Sequence, residues 1–462
     1  MKTAAEKPVS ARREGGSGGL PAGEDAFVQR PHRTLVFLSI PVLFSLVAEP
    51  LTGLADTAFV ARLGAEALAA LGVGTISLSS VFWIFNFLGI GTQTEVAQAA
   101  GRAEIGLAAR KCALAVLVGL AAGTLLILLG MRALPWAAAA MGASGNVHEQ
   151  AVVYMRIRLL GAPAVLTTIA AFGALRGLQD MRTPLLVAVG VNALNIFLDA
   201  VLIYGWGPVP AMGIGGAAAA SSVSQWVGAL WSGGIVYRRL GRPRGLRLSE
   251  LTRLLRIGGD LFVRTGLLTF FLLMATRAAT RIGADAGAAH QAIRQVWVLA
   301  SLVLDAFAVS GQSLVGYFIG SDNLDQARRA ARVIVIWSLG AGAFLALAMV
   351  LTRPLAATLL VPVEARAFFR TAWLVAAAMQ PVTALSFSTD GIHWGTGDFR
   401  FLRNVMILAT GTGCAGLLLI GGHGTRALAA VWAVTGLWAA VRALFGILRV
   451  WPAIGKSPFR RD

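Results

Sequence analysis

Charge is scarce in this chain: only 13% of its 462 residues are Asp, Glu, Lys or Arg, about half the share of an ordinary soluble domain. With 56% hydrophobic residues and a mean hydropathy of +0.71, that shortage excludes a single water-soluble fold of this length. Cysteine is scarcer still. Cys112 and Cys414 lie far apart within apolar stretches, without CxxC or metal spacing, which excludes a disulfide framework and a zinc site. The five histidines, His32, His148, His290, His393 and His423, form no HExxH and no obvious pair, so an intramembrane enzyme would lack its metal or its base. Acidic residues number 22 against 40 basic ones, leaving a net charge of +18. No aromatic-interleaved basic stripe accompanies that excess, so nucleic acid is not its partner.

What fills the chain is apolar sequence in runs long enough for a bilayer, at about 20 residues per crossing. The runs fall at 34–60, 68–97, 107–131, 151–175, 184–206 and 214–236, then at 258–281, 286–319, 330–351, 368–393, 401–420 and 427–448. They predict an all-α integral membrane protein with twelve transmembrane helices in two six-helix lobes, 34–237 and 257–450. Basic residues crowd alternate connections, among them Arg102, Arg110 and Lys111, then Arg238 to Arg256, then Arg328, Arg329 and Arg332. By the positive-inside rule this places both termini in the cytoplasm of a multi-pass protein of the cell (inner) membrane. Residues 1–33 have no apolar core, so they are neither a signal peptide nor a crossing and read as a mobile cytoplasmic tail. Residues 238–256 read as a basic inter-lobe linker lying on the cytoplasmic membrane surface, and 451–462 as a second cytoplasmic tail.

The chain also repeats itself. LGAEALAALGV at 63–73 returns as IGADAGAAHQA at 282–292, and GTQTEVAQAAG at 91–101 as SGQSLVGYFIG at 310–320, in both cases 219 residues on. GALRGLQDMR at 173–182 returns as GIHWGTGDFR at 391–400, one residue tighter. Two similar halves in one orientation are the pattern of a parallel-repeat secondary transporter, with the substrate path between the halves.

A carboxylate at the bilayer centre costs about 2.5–3.5 kcal/mol on insertion scales, so each needs a partner or a function. Glu49, Asp56, Asp199, Asp305 and Asp390 stand inside crossings, and Glu95 and Asp398 nearer the ends. Asn195 and Asp199 share a helix face one turn apart; the pair suits holding a proton, offering oxygens to sodium, or bracing the helix. Asp56 lies beyond Pro41 and Pro50, prolines that should bend the first crossing, and reads either as a site residue or as a cap for the following turn. Asp305 and Asp390 read as lining the carboxyl lobe, where they attract a cation, relay protons, or pair with Arg264 or Arg294. His393, at a helix end, reads as solvated or titrating. Phe82, Trp83, Phe85 and Phe87 face lipid, neighbouring helices or a flat organic cation.

GLADTAFVARLGAEALAALG at 53–72 resembles the first-helix signature of the multidrug and toxic compound extrusion (MATE) transporters. QVWVLASLVLDAFAVSGQSLVG at 295–316 and DGIHWGTGDF at 390–399 resemble the DinF branch of that family, on its plant-like side. The resemblance spans residues 34–450 and implies a MATE-like fold of two lobes related by a pseudo-two-fold. It implies cation-coupled export of organic compounds, with the coupling site on Asp56, Asn195 and Asp199, Tyr154 nearby in the amino-lobe cavity, and Pro41 as the bending proline. Two positions depart from other branches of the family: the helix-six threonine is replaced by an Ala/Gly-rich run with Ser221 and Ser222 nearest, and helix seven has no glutamate.

The expectation is therefore a monomeric proton-coupled antiporter for drug-like, mainly cationic organic molecules, not an enzyme, with no cofactor and no bound metal. Sodium at Asp56, Asn195 and Asp199 is the alternative coupling ion, and an organic-acid (citrate-like) exporter is the alternative transporter. A flippase for lipid-linked intermediates is a further alternative, disfavoured by the count of twelve crossings.

Overall fold

The computed structural model describes residues 23–245 and 247–460; the larger part of the expected amino-terminal tail, 1–22, lies outside the described residues. The described residues form sixteen helices. The first half holds α1 (Gly23–Gln29), α2 (Pro31–Ala61), α3 (Ala65–Ile84), α4 (Phe87–Gly101), α5 (Ile105–Ala140), α6 (Gly145–Leu159), α7 (Ala162–Gly177), α8 (Arg182–Tyr204) and α9 (Ile214–Leu240). The second holds α10 (Leu248–Ile282), α11 (Ala284–Gly320), α12 (Leu324–Leu360), α13 (Arg366–Ala378), α14 (Gln380–Thr396), α15 (Phe399–Leu418) and α16 (Thr425–Val450). Each of the twelve expected crossings falls on one helix or one broken pair, α3–α4, α6–α7 and α13–α14.

Nine of these segments are long and apolar enough to cross a membrane, and the α6–α7 pair, bent by 49°, makes ten. The expected crossings at 214–236 and 368–393 fall short of that measure. Their helices are not required to be uniformly apolar, because much of their surface meets protein rather than lipid. α14 is buried along almost its whole length, Asp390 and His393 included, and α9 turns Gly215 to Ala218, Ser221, Ser222 and Ser224 inward.

The duplication is visible atom by atom. Proline lacks the N–H that a continuous helix needs, and Pro163 and Pro381 stand in the first turns of α7 and α14, where the broken pairs resume. Opposite them are glycines: a Cβ on Gly123 would come within 2.4 Å of Pro163 Cα, and one on Gly342 within 2.9 Å of Pro381 Cα. Gly173 packs on the Gly89 carbonyl and Gly391 on the Ala308 carbonyl, while Gly177 packs on Gln93 O and Gly395 on Gln312 O. Without a hydrophobic drive between helices in lipid, such backbone contact is a principal source of association. Even the turns correspond, with left-handed Ala103 (φ 58) and Asp322 (φ 57) after the first glycine-marked helices.

α2 belongs to both lobes. Its first half packs Leu35, Leu38 and Val42 with Leu314, Phe318 and Ile334 of the second half, while Val60 at its far end packs with Leu71, Tyr154 and Ile203 of the first. Pro41 lies within the first attachment and Pro50 between the two.

Three segment expectations change. The described part of the 1–33 tail is helical, with Phe27 fully buried and its ring 5.4 Å from Phe318, because α1 and the start of α2 fold onto α11 and α12. The 238–256 linker is not a separate surface segment throughout: α10 opens at Leu248 and runs unbroken to Ile282, with Leu254 and Ile257 buried and Glu250 paired to Arg110. The carboxyl tail is docked, since Arg449 donates to the carbonyls of Ile454 and Lys456, each at 2.6 Å, and Phe459 is buried beside Phe27.

A methyl group at Gly173 or Gly391 would lie 2.4 or 2.3 Å from a facing carbonyl oxygen. Gly173→Ala and Gly391→Ala should each cost about 1–3 kcal/mol of stability by overpacking, read as matched falls in the melting temperature of the detergent-purified protein.

Candidate functional site

The amino-lobe carboxyls sit where α2 and α8 run side by side toward the end of the bundle opposite the termini. Asp56, Asn195 and Asp199 are 9%, 3% and 0% exposed. With the Asn195 carboxamide turned so that both its ends are satisfied, Nδ2 donates to Asp56 Oδ1 at 3.0 Å and Oδ1 accepts from the Ser221 N–H at 3.2 Å. Asp56 therefore does not cap a turn; α2 continues past it to Ala61. The Asp56 and Asp199 side chains face each other at hydrogen-bonding range. Both Asp199 oxygens are buried and meet no donor among the described residues, and two bare carboxylates have no hydrogen between them to share. Their contact closes only around a proton or a cation.

Tyr154 on α6 is buried beside this pair. Gly74 on α3 makes room for it, since a Cβ there would come within 2.4 Å of the Tyr154 ring. One turn along α6 stands Arg158, in hydrogen-bonding reach of Tyr154 and close enough to act electrostatically on Asp56. The sequence reading missed this arginine. Its signal was a basic residue four positions from Tyr154 inside an apolar run. Ser221 joins the site through its backbone as well as its hydroxyl, whereas Ser222 turns to Ile157 O at 2.9 Å. Pro41 lies in the other attachment of α2, buried against the second lobe's side of the bundle, fifteen residues from Asp56. Glu49 is exposed, and Glu95 is paired with Lys111 at 2.8 Å and Arg253 at 3.0 Å.

The carboxyl lobe is built differently. Asp390 on α14 is gripped by two guanidinium groups, Arg264 of α10 and Arg442 of α16. Arg264 lies over the Trp394 ring at 5.1 Å and Arg442 over Trp438 at 4.3 Å, so aromatic faces complete the pairing. Arg294 does not join Asp390. Asp305 on α11 lies near Arg264 and near Arg176 of α7 without a direct ion pair among the described residues. His393 is neither solvated nor at a free helix end: it is fully buried, with Nε2 3.1 Å from Gly446 O and its ring against Phe401. Among the described residues no three His, Cys, Asp or Glu side chains gather as a metal site.

This arrangement has known relatives. The family description MatE matches two stretches, 41–201 and 262–416, one in each half. The chain belongs to the MATE family. Protein DETOXIFICATION 44, chloroplastic, of Arabidopsis thaliana is 30% identical over 90% of this chain and 81% of its own length. DNA damage-inducible protein F of Escherichia coli K12 is 29% identical over 92% of this chain and 93% of its own. Among solved structures, a MATE protein in a bent conformation superposes with a TM-score of 0.85 at 22% identity, covering 94% of this chain and 98% of its own. An outward-facing multidrug resistance MATE transporter gives 0.82 at 22% identity, covering 94% and 98%. The protein is thus a multi-pass secondary transporter of the MATE fold, not an enzyme.

Within this MATE transporter the carboxylates fall into two kinds, and stability should separate them. Asp390→Asn orphans two buried guanidinium groups and should cost about 3–5 kcal/mol. Asp199→Asn strands no paired cation and should leave the melting temperature nearly unchanged, as a thermal denaturation series in detergent would report.

Proposed function

We propose that this transporter exports organic compounds, drug-like cations foremost, in exchange for protons taken up by Asp56 and Asp199. The observation that carries this reading is the buried Asp56/Asp199 pair with no donor for Asp199 among the described residues. A proton held between the two carboxyls removes one charge and lets the lobe close over them without burying a bare pair. Release of that proton restores the repulsion and reopens the lobe.

Three details favour the proton over sodium. The Asn195 oxygen is occupied by the Ser221 N–H, a hydroxyl-poor Ala/Gly run stands where a threonine ligand would be, and Arg158 already brings a positive charge to the pair. The mechanical link is α2, fixed to the second lobe by Trp337 Nε1 donating to His32 Nδ1 at 3.1 Å and by Arg329 donating to Val28 O at 3.2 Å. Its other end is held in the first lobe, where the Tyr204 hydroxyl donates to Phe59 O at 2.7 Å. A change at Asp56 is thereby transmitted through Pro41 and Pro50, positions where the helix lacks backbone bonds and bends at low cost. The basic end of the bundle, carrying both termini, faces the cytoplasm by the positive-inside rule.

Relatives described as probable multidrug resistance proteins, such as NorM of Thermotoga maritima, 29% identical over 63% of this chain, support drug-like cargo. A second cargo class has its own support. Arg176, Arg264 and Arg442 outnumber Asp305 and Asp390 in this buried cluster, a balance suited to an organic acid.

In proteoliposomes with proton and sodium gradients imposed separately, a proton gradient alone should drive uphill movement of a cationic dye. Asp56→Asn and Asp199→Asn should each reduce it to background while the protein stays folded. Exchange driven only by sodium, or undiminished in either variant, contradicts the mechanism; citrate moved in preference to the dye reassigns the cargo.

A further inference from the structure

The two lobes grip each other along α4 and α11, and the grip obeys the same 219-residue register as the sequence repeat. Gln93 Nε2 donates to Val309 O at 2.7 Å, and Gln312 Nε2 donates to Ile90 O at 2.8 Å. The donor advances by 219 and the acceptor steps back by 219, so one bond is the other turned about the pseudo-two-fold. Thr94 Oγ1 donates to Trp394 O at 2.7 Å and Ser313 Oγ to Arg176 O at 2.5 Å, a second reciprocal pair. Glycines then set the closeness of approach: a Cβ on Gly101 would lie 2.0 Å from Tyr317 O, and one on Gly320 2.1 Å from Gln98 O. Gln98 Nε2 adds a bond to Gly395 O at 2.9 Å.

All of these contacts lie toward the basic end of the bundle, as do the ion pairs of Arg110 with Glu250 and of Arg253 with Glu95 between the lobes. Gln93 and Gln312 are 3% and 1% exposed, and their amide nitrogens donate across to the opposite lobe. A buried amide without a partner is costly, so neither glutamine suits its own lobe unless the other is in contact. Water replaces those bonds when this end opens, which makes the grip reversible.

We propose that Gln93 and Gln312, seated by Gly101 and Gly320, form a reciprocal clasp that gates the end of the transporter bearing the termini. The clasp rests on the secondary-transporter reading given above, and it assigns the barrier at this end to two symmetry-related amides instead of to a loop or a charge pair. Trp394 and Arg176, which supply the carbonyls of the second reciprocal pair, also touch the buried charges of the bundle: Trp394 lies under Arg264 and Arg176 lies near Asp305.

The test is a spin-label distance between Glu104 and Asp322, each replaced by cysteine on a Cys112→Ala, Cys414→Ala background, in liposomes. The unaltered clasp should give mainly the short distance. Loss of one reciprocal bond, in Gln93→Leu or in Gln312→Leu, should raise the ratio of long to short distance by about fivefold, equally from either side, and the double variant by more. Gly101→Ala and Gly320→Ala should shift it the same way although alanine strengthens each helix, and these variants carry the test should a leucine variant fail to fold. A lowered melting temperature with unchanged distances, or an effect from one side of the pair alone, overturns the proposal. Because the readout needs no cargo, distances that shift in a protein that fails to exchange protons would sink the proton mechanism and leave the clasp standing.

Discussion

Hydrocarbon cannot solvate a charge or an amide, so each polar group this protein carries into the bilayer has to be answered by another part of the protein. The answers differ, and the differences organise the molecule. Asp390 is answered by two arginines fixed in its own lobe and becomes a brace. Asp56 is answered by Asn195, while Asp199 is left facing another carboxyl with no donor of its own among the described residues, which is why we propose it as the seat of an exchangeable proton. Gln93 and Gln312 are answered across the lobe boundary. The same rule therefore yields a permanent bond, an exchangeable one and a conditional one.

α2 joins the two lobes in which these groups stand. A helix shared by two bodies must follow both, and this one is fixed to the carboxyl lobe near His32, Leu35 and Phe27 and to the amino lobe near Asp56 and Phe59. Pro41 within the first attachment and Pro50 between the two are its weak points. The docked tail reinforces the first attachment, since Arg328 donates to Phe459 O at 2.6 Å and Phe459 packs in the cluster that holds Phe27 and Leu35. Segments outside the apolar runs thus help hold α2 in place.

The fold was legible in the sequence to an unusual degree, for a physical reason: apolar runs of bilayer length and a repeat at fixed register are both local, countable signals. The 219-residue offset read from short stretches of sequence reappears in glycine contacts, left-handed turns and interlobe bonds. Less legible were the helices screened from lipid. α9 and α13–α14 are poor in apolar length because the faces they turn to protein carry Gly, Ala, Ser and other polar residues, and the amphipathic start of α10 looked like a surface linker because its charges answer Arg110 and Glu95 on the other lobe. Arg158 escaped notice because Arg156 and Arg158 together read only as basic residues near a helix end.

By itself the sequence determined that the chain crosses a membrane many times, that it is built twice, and that Asn195 and Asp199 share a face, because hydropathy, repetition and helical spacing follow from neighbouring residues. Only the tertiary structure decided that Asp56 completes that pair, that Asp390 is neutralised while Asp199 is not, and that Gln93 and Gln312 trade bonds across the lobes. Those outcomes depend on which side chains meet from helices 52 or more residues apart, and in a dry interior the meeting partner, not the residue type, fixes whether a polar group braces the fold or moves with it.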